Sequence, residues 1–600
     1  MHKVLIIALI FFLCQACSTV HMTHGPMLGR QSSDSMGVWC RTSTPTKVQV
    51  RYGIEGQPLD QLSEFVYSEL ERDNTARVFI KNLKPGTRYK YQLLIDGKAQ
   101  GPSASFKTLP NGETVQNEHN PKGLFNFKFE FGCGNNTSSP RVNGILMPTY
   151  ATMLKKGIHR DVDFAILNGD FIYEIDRDFN TEQWLQQTGE KTVPPKLQLS
   201  PDKTGVWQNY KTYLEGSEHL REWHTYVPSY YTMDDHEILN DVYGSGSPGR
   251  VDRKAVFRDP ATQSWLDYIG WSNHTVDKSE VHISRAKLSK GSSILKDLSA
   301  DFSKLDPENA ATLHVQWGKG AGMAFTDGVP MDDPNAGVYE IVEVIDKNTI
   351  KVSPEFKADS DSVYSIGKGL FGRMTVSNCD IFILDSRTYR EMHDTQKPDA
   401  PVSMIGKRQK AWLMNEMKKS KADFFFVVSS VNFMVPHVGS NAEGKGMVAN
   451  KDDAWTVFLN EREQLIKFWE TLDKPVFVLT GDLHNSIAVK ITDKIWEFAS
   501  APHNSPNHIL KFEGSRPVNG PFQYGPRGCF IRWSSAMLND TPKPQRRTPV
   551  YCIVQVNNIF NNPKEAGKDR WVAYPVPQVI FQYYSGISGE LLYSETVLAK

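Results

Sequence analysis

Apolar residues follow two rhythms along this chain, and the change between them divides it. From residue 37 to 109 the period is two: Val48-Gln49-Val50-Arg51-Tyr52 and Ala76-Arg77-Val78-Phe79-Ile80 alternate as half-buried strands do. Residues 108–123 are polar and carry Gly, Pro and Asn, which predicts a linker. Beyond them the apolar residues cluster in short continuous runs. The run 162–167 is apolar apart from Asp163 and stops at Asn168-Gly169, as expected of a strand buried on both faces. The same signature recurs at 381–384, 424–428 and 476–480, and 125–131 is also strand-like. Helical spacing occupies 147–156, 407–418 and 461–472. Strands alternating with helices predict a layered α/β domain whose ligands sit on loops at the carboxyl ends of the strands.

Residues 83–91 place a Pro-Gly turn ahead of an alternating aromatic strand containing Tyr89 and Tyr91. This resembles the corner of immunoglobulin- and fibronectin-like sandwiches, where a tyrosine hydroxyl bonds back to the main chain. The predicted organisation is an all-β domain over 25–110, an α/β domain over 123–286 and 373–600, and a small β-rich insertion over 287–372. Within the insertion, 339–344 and 349–352 read as a hairpin joined by Asp346-Lys347-Asn348. Gly318-Lys319-Gly320-Ala321-Gly322 lacks the ending of a phosphate loop and reads as turn chemistry.

A length of 600 residues exceeds one compact core and fits two or three domains. The chain carries 68 basic and 68 acidic residues, so no bulk field favours nucleic acid. His2-Lys3, the apolar run 4–13 and Gln15-Ala16-Cys17-Ser18 read as an export signal over 1–17. A small residue before Cys17 resembles a lipoprotein cleavage site, which would place a lipid on Cys17 and the protein in the periplasm or on the outer membrane. No later stretch is apolar enough to span a membrane. Five cysteines remain (Cys40, Cys133, Cys379, Cys529 and Cys552), an odd number that leaves at least one unpaired. Cys133 is the expected free thiol.

Three strand ends carry chemistry. In Leu167-Asn168-Gly169-Asp170 the carboxylate leaves a glycine turn and can bridge two cations, and Tyr173 adds a hard phenolic oxygen suited to a trivalent ion. Asp234-Asp235-His236-Glu237 is an acidic and imidazole cluster; it could be a helix cap alone, but His236 adds a proton donor near neutral pH. Asp482 and His484 are alternate residues after the run 476–480 and so share a face. Cys133, in Phe131-Gly132-Cys133-Gly134, stands at another strand-to-glycine junction, where a cation would lower a thiol's pKa. Arg387 could bind phosphate oxygens, while Asp385 reads as an orienting group.

These motifs, with Leu384-Asp385-Ser386-Arg387-Thr388-Tyr389-Arg390 and Gly406-Lys407-Arg408-Gln409-Lys410-Ala411-Trp412-Leu413, resemble in content and order the series of the PhoD-type alkaline phosphatases. That family lies within the calcineurin-like metallophosphoesterases, akin to purple acid phosphatases. The resemblance implies ferric iron with a divalent ion, calcium in the first instance and zinc or manganese otherwise. It implies Cys133, Asp170, Tyr173 and His484 as iron ligands with Asp170 bridging, Asp235 and Asp482 on the divalent ion, and Asn432 as its further ligand. His437 and His503 match no family ligand. The expected reaction is attack of a metal-held hydroxide on a small phosphomonoester, with His236 assisting the leaving group and Arg387 stabilising charge. Alternatives are a phosphodiesterase acting on lipid, teichoic-acid-like or nucleotide diesters, a hydrolase of another bond, and a surface binding protein with a vestigial site.

Overall fold

Two large sheets carry the second rhythm, and each contributes one face to a shared core. The computed structural model describes residues 20–137, 147–248, 250–305, 312–316, 333–438, 452–565 and 567–599. The first sheet runs Ser229–Thr232, Phe164–Asn168, Phe127–Gly132, Val550–Asn561, Trp571–Ser585, Leu591–Leu598. Its first three strands are parallel and its last three are added antiparallel. The second sheet has eight strands around a parallel centre of Cys379–Ile383, Phe424–Ser429, Val476–Thr480 and Ile495–Ala499. These central runs match the sequence reading because a strand covered on both faces needs apolar residues at every position.

Alternate residues show how that covering is divided. Phe129, Phe164 and Ile166 of the first sheet share one cluster with Ile381, Phe426 and Phe477 of the second. The outward residues Ala165, Leu167 and Tyr231 pack under helices Lys203–Gly216, Glu218–Tyr226 and Arg258–Tyr268. On the far side Phe382, Phe425 and Val427 pack under Gly406–Lys419 and Leu459–Glu470. The buried face of each aromatic residue contributes roughly 1.5–3 kcal/mol by apolar burial.

The N-terminal region is all-β. Met22–Gly29, Met36–Thr42 and Thr75–Ile80 form one sheet; Lys47–Ile54, Arg88–Ile95 and Lys98–Lys107 are the main strands of the other, and both feed one core. The Tyr89 hydroxyl accepts the Lys84 amide at 2.8 Å, which ties its strand to the preceding Pro-Gly turn. Asp73 fastens this region to the α/β part. It accepts two bonds from Arg41, each 3.0 Å, and one from Trp184 Nε1 at 2.8 Å.

The insertion's hairpin is Gly337–Asp346 with Thr349–Ser353, inside a six-stranded antiparallel sheet that begins at His282–Leu288. It joins the core through Arg258, which donates to Thr312, and through Ser365, which donates to Asp259 at 2.8 Å. The export signal with Cys14 and Cys17, and the glycine cluster 318–322, lie outside the described residues. No disulfide links the five later cysteines, and Cys133 is one of four that are buried. No described helix is long and apolar enough to cross a membrane.

Candidate metal centre

The parallel strands of both sheets end at one place, and side chains lock the two ends together. Asn168, the last residue of its strand, donates to Ser429 O at 2.9 Å and to Leu479 O at 3.3 Å across the sheet interface. Thr232 Oγ1 donates back to Asn168 Oδ1 at 2.8 Å. The loops that follow these strands therefore converge. At Gly481 the approach is tight: a Cβ there would lie 2.6 Å from Asn168 O and 3.0 Å from Cys133 Sγ. Asp170 and Asp482 leave their glycine turns in left-handed backbone, with φ of 53° and 65°.

Glu237 holds two of the loops in register. Its carboxylate accepts the amides of Asp234 at 2.8 Å, Phe171 at 2.6 Å and Asp170 at 3.2 Å. Burial first, then the neighbouring Asp170 carboxylate, raises its pKa to about 7. Asp234 is the N-cap of the four-residue helix Asp235–Ile238.

Asp170, Tyr173 and His484 meet directly. The Tyr173 hydroxyl donates to Asp170 Oδ2 at 2.8 Å and lies 2.9 Å from His484 Nε2, which is itself 3.3 Å from that carboxylate oxygen. His484 Nδ1 donates to Pro506 O at 3.1 Å, which leaves Nε2 as the basic nitrogen toward the cluster. Ser505 Oγ is 2.9 Å from the Tyr173 oxygen. Burial, then Asp170, pushes the phenol pKa well up, and burial with Asp170 and Asp234 does the same to the Cys133 thiol. Both become ligands only where a cation reverses that balance.

Carboxylates gather around these residues in three overlapping groups. Asp170, Asp235 and His236 offer donor atoms within 4.8 Å of one another; so do Asp170, Asp234 and Asp482; so do Asp482, His437 and Asp453. Asp170 and Asp482 each belong to two groups. Burial, opposed by Arg387 and reinforced by Asp235, Asp170 and Asp482, raises the Asp234 pKa well above its ordinary value. Asp170 Oδ1, Asp234 Oδ2 and both amide atoms of Asn432 are buried with no hydrogen-bond partner among the described residues. Orphaned buried acceptors beside crowded carboxylates are costly, and bound cations would satisfy them. The donor set of thiol, phenol, imidazole, amide and carboxylate fits such ions.

His236 stands at the mouth. Its Nδ1 donates to Glu174 Oε2 at 2.9 Å, so Nε2 is left to carry the exchangeable proton. Burial penalises the imidazolium, but Glu174, then Asp235 and Asp170, override it and hold the pKa well above 6.5. Cations among the carboxylates would cancel what Asp235 and Asp170 contribute and leave Glu174 as the lasting support.

Arg387 lies where a phosphate contact would not place it. Its guanidinium is fully buried, bonded to Asp234 and, at 3.0 Å, to Asp453, with Asp235 at 3.7 Å. Asp385 orients the same loop by accepting the amides of Arg387 and Thr388 at 3.2 and 2.9 Å. His503 stays outside the cluster as expected, bonded to Glu130 at 2.9 Å beneath Gly132.

Two members of the cluster lie outside the expected ligand set: His437, which matches no family ligand yet stands 2.7 Å from Asp482, and Asp453, which the motifs do not include. The signals available were the imidazole following the strand run 424–428 and the paired carboxylates Asp452-Asp453. The open side is a cavity of about 300 Å³ lined by Asp170, Tyr173, Asp235, His236, Asp482 and His484 among others. None of the insertion's described residues lines it; the segment carrying Lys543 and Arg546 does.

Converging strand ends thus bring together a shared-carboxylate cluster, with donor groups that could hold metal ions and a histidine at its mouth. Residues 129–293 and 367–516, just over half the chain, match the PhoD-like phosphatase family, and the chain belongs to that family. The break between the matched segments falls on the insertion. Residues 19–112 match a family described as a domain of unknown function, DUF7800. Alkaline phosphatase D of Bacillus subtilis (strain 168) is 30% identical over 130 residues, a match spanning 20% of this chain and only 22% of that protein. The solved structure of PhoD superposes with a TM-score of 0.52 and 15% identity, covering 95% of this chain and 91% of its own. Purple acid phosphatase PPD1 from yellow lupin (Lupinus luteus) seeds gives 0.47 and 8% over 95% and 73%.

Proposed function

We propose that this chain is an exported phosphatase that hydrolyses small phosphomonoesters at a two-metal centre. The observation that carries the reading is the double membership of Asp170 and Asp482 in the donor groups. Cys133, Asp170, Tyr173 and His484 would hold ferric iron; Asp235, Asp482 and Asn432 would hold a divalent ion, calcium before zinc or manganese, with His437 and Asp453 beside it. When bound, such a pair supplies Lewis acidity and makes an acidic water available at neutral pH. The protein's part is to place and charge the groups around it. Asp170 and Asp482 set the centre, and Glu237 keeps their loops together. His236, poised protonated by Glu174, donates its Nε2 proton to the departing alkoxide oxygen. Arg387 acts from below by fixing Asp234 and Asp453, a positioning role in place of phosphate contact.

Comparing kcat/KM for an aryl monophosphate with that for the bis-aryl diester tests the substrate class; a diester preference would overturn the monoester reading. His236→Asn should lower kcat by about 10²- to 10⁴-fold, the usual worth of a positioned acid. Bound metal should not change, and the loss should be larger for alkyl than for nitrophenyl esters, because a good leaving group needs less protonation. Equal losses on both would remove His236 from this role.

The region 25–110 is proposed as an immunoglobulin- or fibronectin-like domain, supported by the bond that the Tyr89 hydroxyl accepts from the Lys84 amide. The export signal and a lipid on Cys17 are proposed from sequence; Cys17→Ser should move the protein from the membrane to the soluble fraction, and unchanged fractionation would exclude the anchor.

A further inference from the structure

The cavity that holds the cluster also carries two cations that the proposed mechanism does not use. Lys543 and Arg546 line it together with Phe512, Pro506 and Asn507. They lie beyond residue 516, where the family match ends. Neither forms an ion pair with a carboxylate among the described residues, although Asp170, Asp235 and Asp482 line the same space.

The segment that carries them is built into the rim. The Asn507 amide donates to Arg546 O at 3.1 Å, and the Thr548 amide donates to Asn507 Oδ1 at 2.8 Å. Asn507 Nδ2 reaches His484 O at 3.1 Å, so the segment is tied to a proposed metal ligand. Arg546 Nε donates to Thr541 O at 3.0 Å, which leaves the two terminal nitrogens of its fork for a ligand. Pro542, Pro544 and Pro549 limit the backbone on both sides.

Resting on the phosphatase reading, we propose that Lys543 and Arg546 form a second anion subsite, so that the preferred substrates are phosphomonoesters whose alcohol portion carries a further carboxylate or phosphate. A phosphoryl group at the carboxylate cluster would be met by the ions held there. The rim cations then face whatever the ester's other end presents. With a volume of about 300 Å³, the cavity admits a small two-headed ester. The guanidinium fork and the ammonium match carboxylate or phosphate oxygens, and Phe512 and Pro506 offer apolar surface to the carbon chain between the two charges.

The test uses a matched pair on the full, metal-loaded chain: 3-phosphoglycerate, with a carboxylate, and glycerol 3-phosphate, without one. The ratio of their kcat/KM values should favour 3-phosphoglycerate by roughly tenfold or more, the worth of hydrogen bonds to a charged group. In the Lys543→Gln/Arg546→Gln double variant that ratio should fall to within about twofold of unity. A wild-type ratio near one overturns the subsite. So does a double variant that loses activity equally on both esters, since the cations would then serve the transferred phosphoryl group itself. If an aryl phosphate is turned over while the matched pair shows no preference, the subsite fails and the phosphatase reading stands. If the metal-loaded chain turns over no monoester, both fail.

Discussion

Asp170→Asn is expected to reduce kcat/KM on an aryl phosphate by about 10³-fold or more, since a lost bridging ligand removes several kcal/mol of metal-derived stabilisation. The substitution keeps the size of the side chain and an oxygen that can accept from Tyr173, so the loop 169–173 should keep its shape. What it removes is charge at the position shared by two donor groups. Bound metal should fall with activity. Stability should move the other way in metal-stripped protein: Asp170 faces Asp234 and Asp482 within the cluster, and removing one of three crowded carboxylates relieves repulsion. Elemental analysis, turnover and thermal unfolding of the stripped protein read these three effects separately. Full activity in a variant that still binds both ions would show that Asp170 is not at the centre.

Arg387→Met is expected to be the most destabilising of these changes. Arg387 is fully buried, and its partners Asp234 and Asp453 are buried with it. Burial disfavours the guanidinium, but Asp234, then Asp235 and Asp453, hold it charged. Truncating it leaves those carboxylates facing one another without a counter-ion, a defect that costs about 3–5 kcal/mol in comparable buried pairs. For a unit of this size that corresponds to a melting temperature lower by a few degrees. Arg387→Lys should recover little, because one ammonium cannot span the separate oxygens that the planar fork reaches. Activity should fall as well, through misplaced Asp234 and Asp453. Unchanged melting with a selective rise in KM for phosphate esters would instead return Arg387 to direct phosphate contact.

The site was legible where chemistry is written locally. A buried strand, a glycine and a ligand form one short string at Asp170 and at Asp482 and His484, and Asp235 and His236 stand in a dense acidic and imidazole run, so all five could be placed on converging loops from sequence. The motif order supplied the rest of that reading. His437 was set aside for matching no family ligand and Asp453 was not legible, because both reach the cluster from an irregular connection, where spacing says nothing about direction. The same limit applies to Ser505 and Asn507 and to the rim cations Lys543 and Arg546. Arg387 shows a different limit: sequence indicated its loop, yet whether a guanidinium faces a cleft or supports its floor depends on which carboxylates other loops bring to it. In the fold, the central strands were readable from their continuous apolar runs. The helices between 181 and 226 were not, since their apolar faces are interrupted by buried polar groups such as Asn209 and Lys211. The pairing of Phe127–Gly132 with Val550–Asn561 joins residues more than four hundred positions apart, and no local pattern encodes it.

The most direct test of the account is the metal content of the purified full-length chain measured beside its turnover of an aryl monophosphate. The account predicts iron and one further ion in each chain, loss of turnover when both are stripped, and recovery when both are restored. Undiminished hydrolysis by protein free of both ions would contradict it.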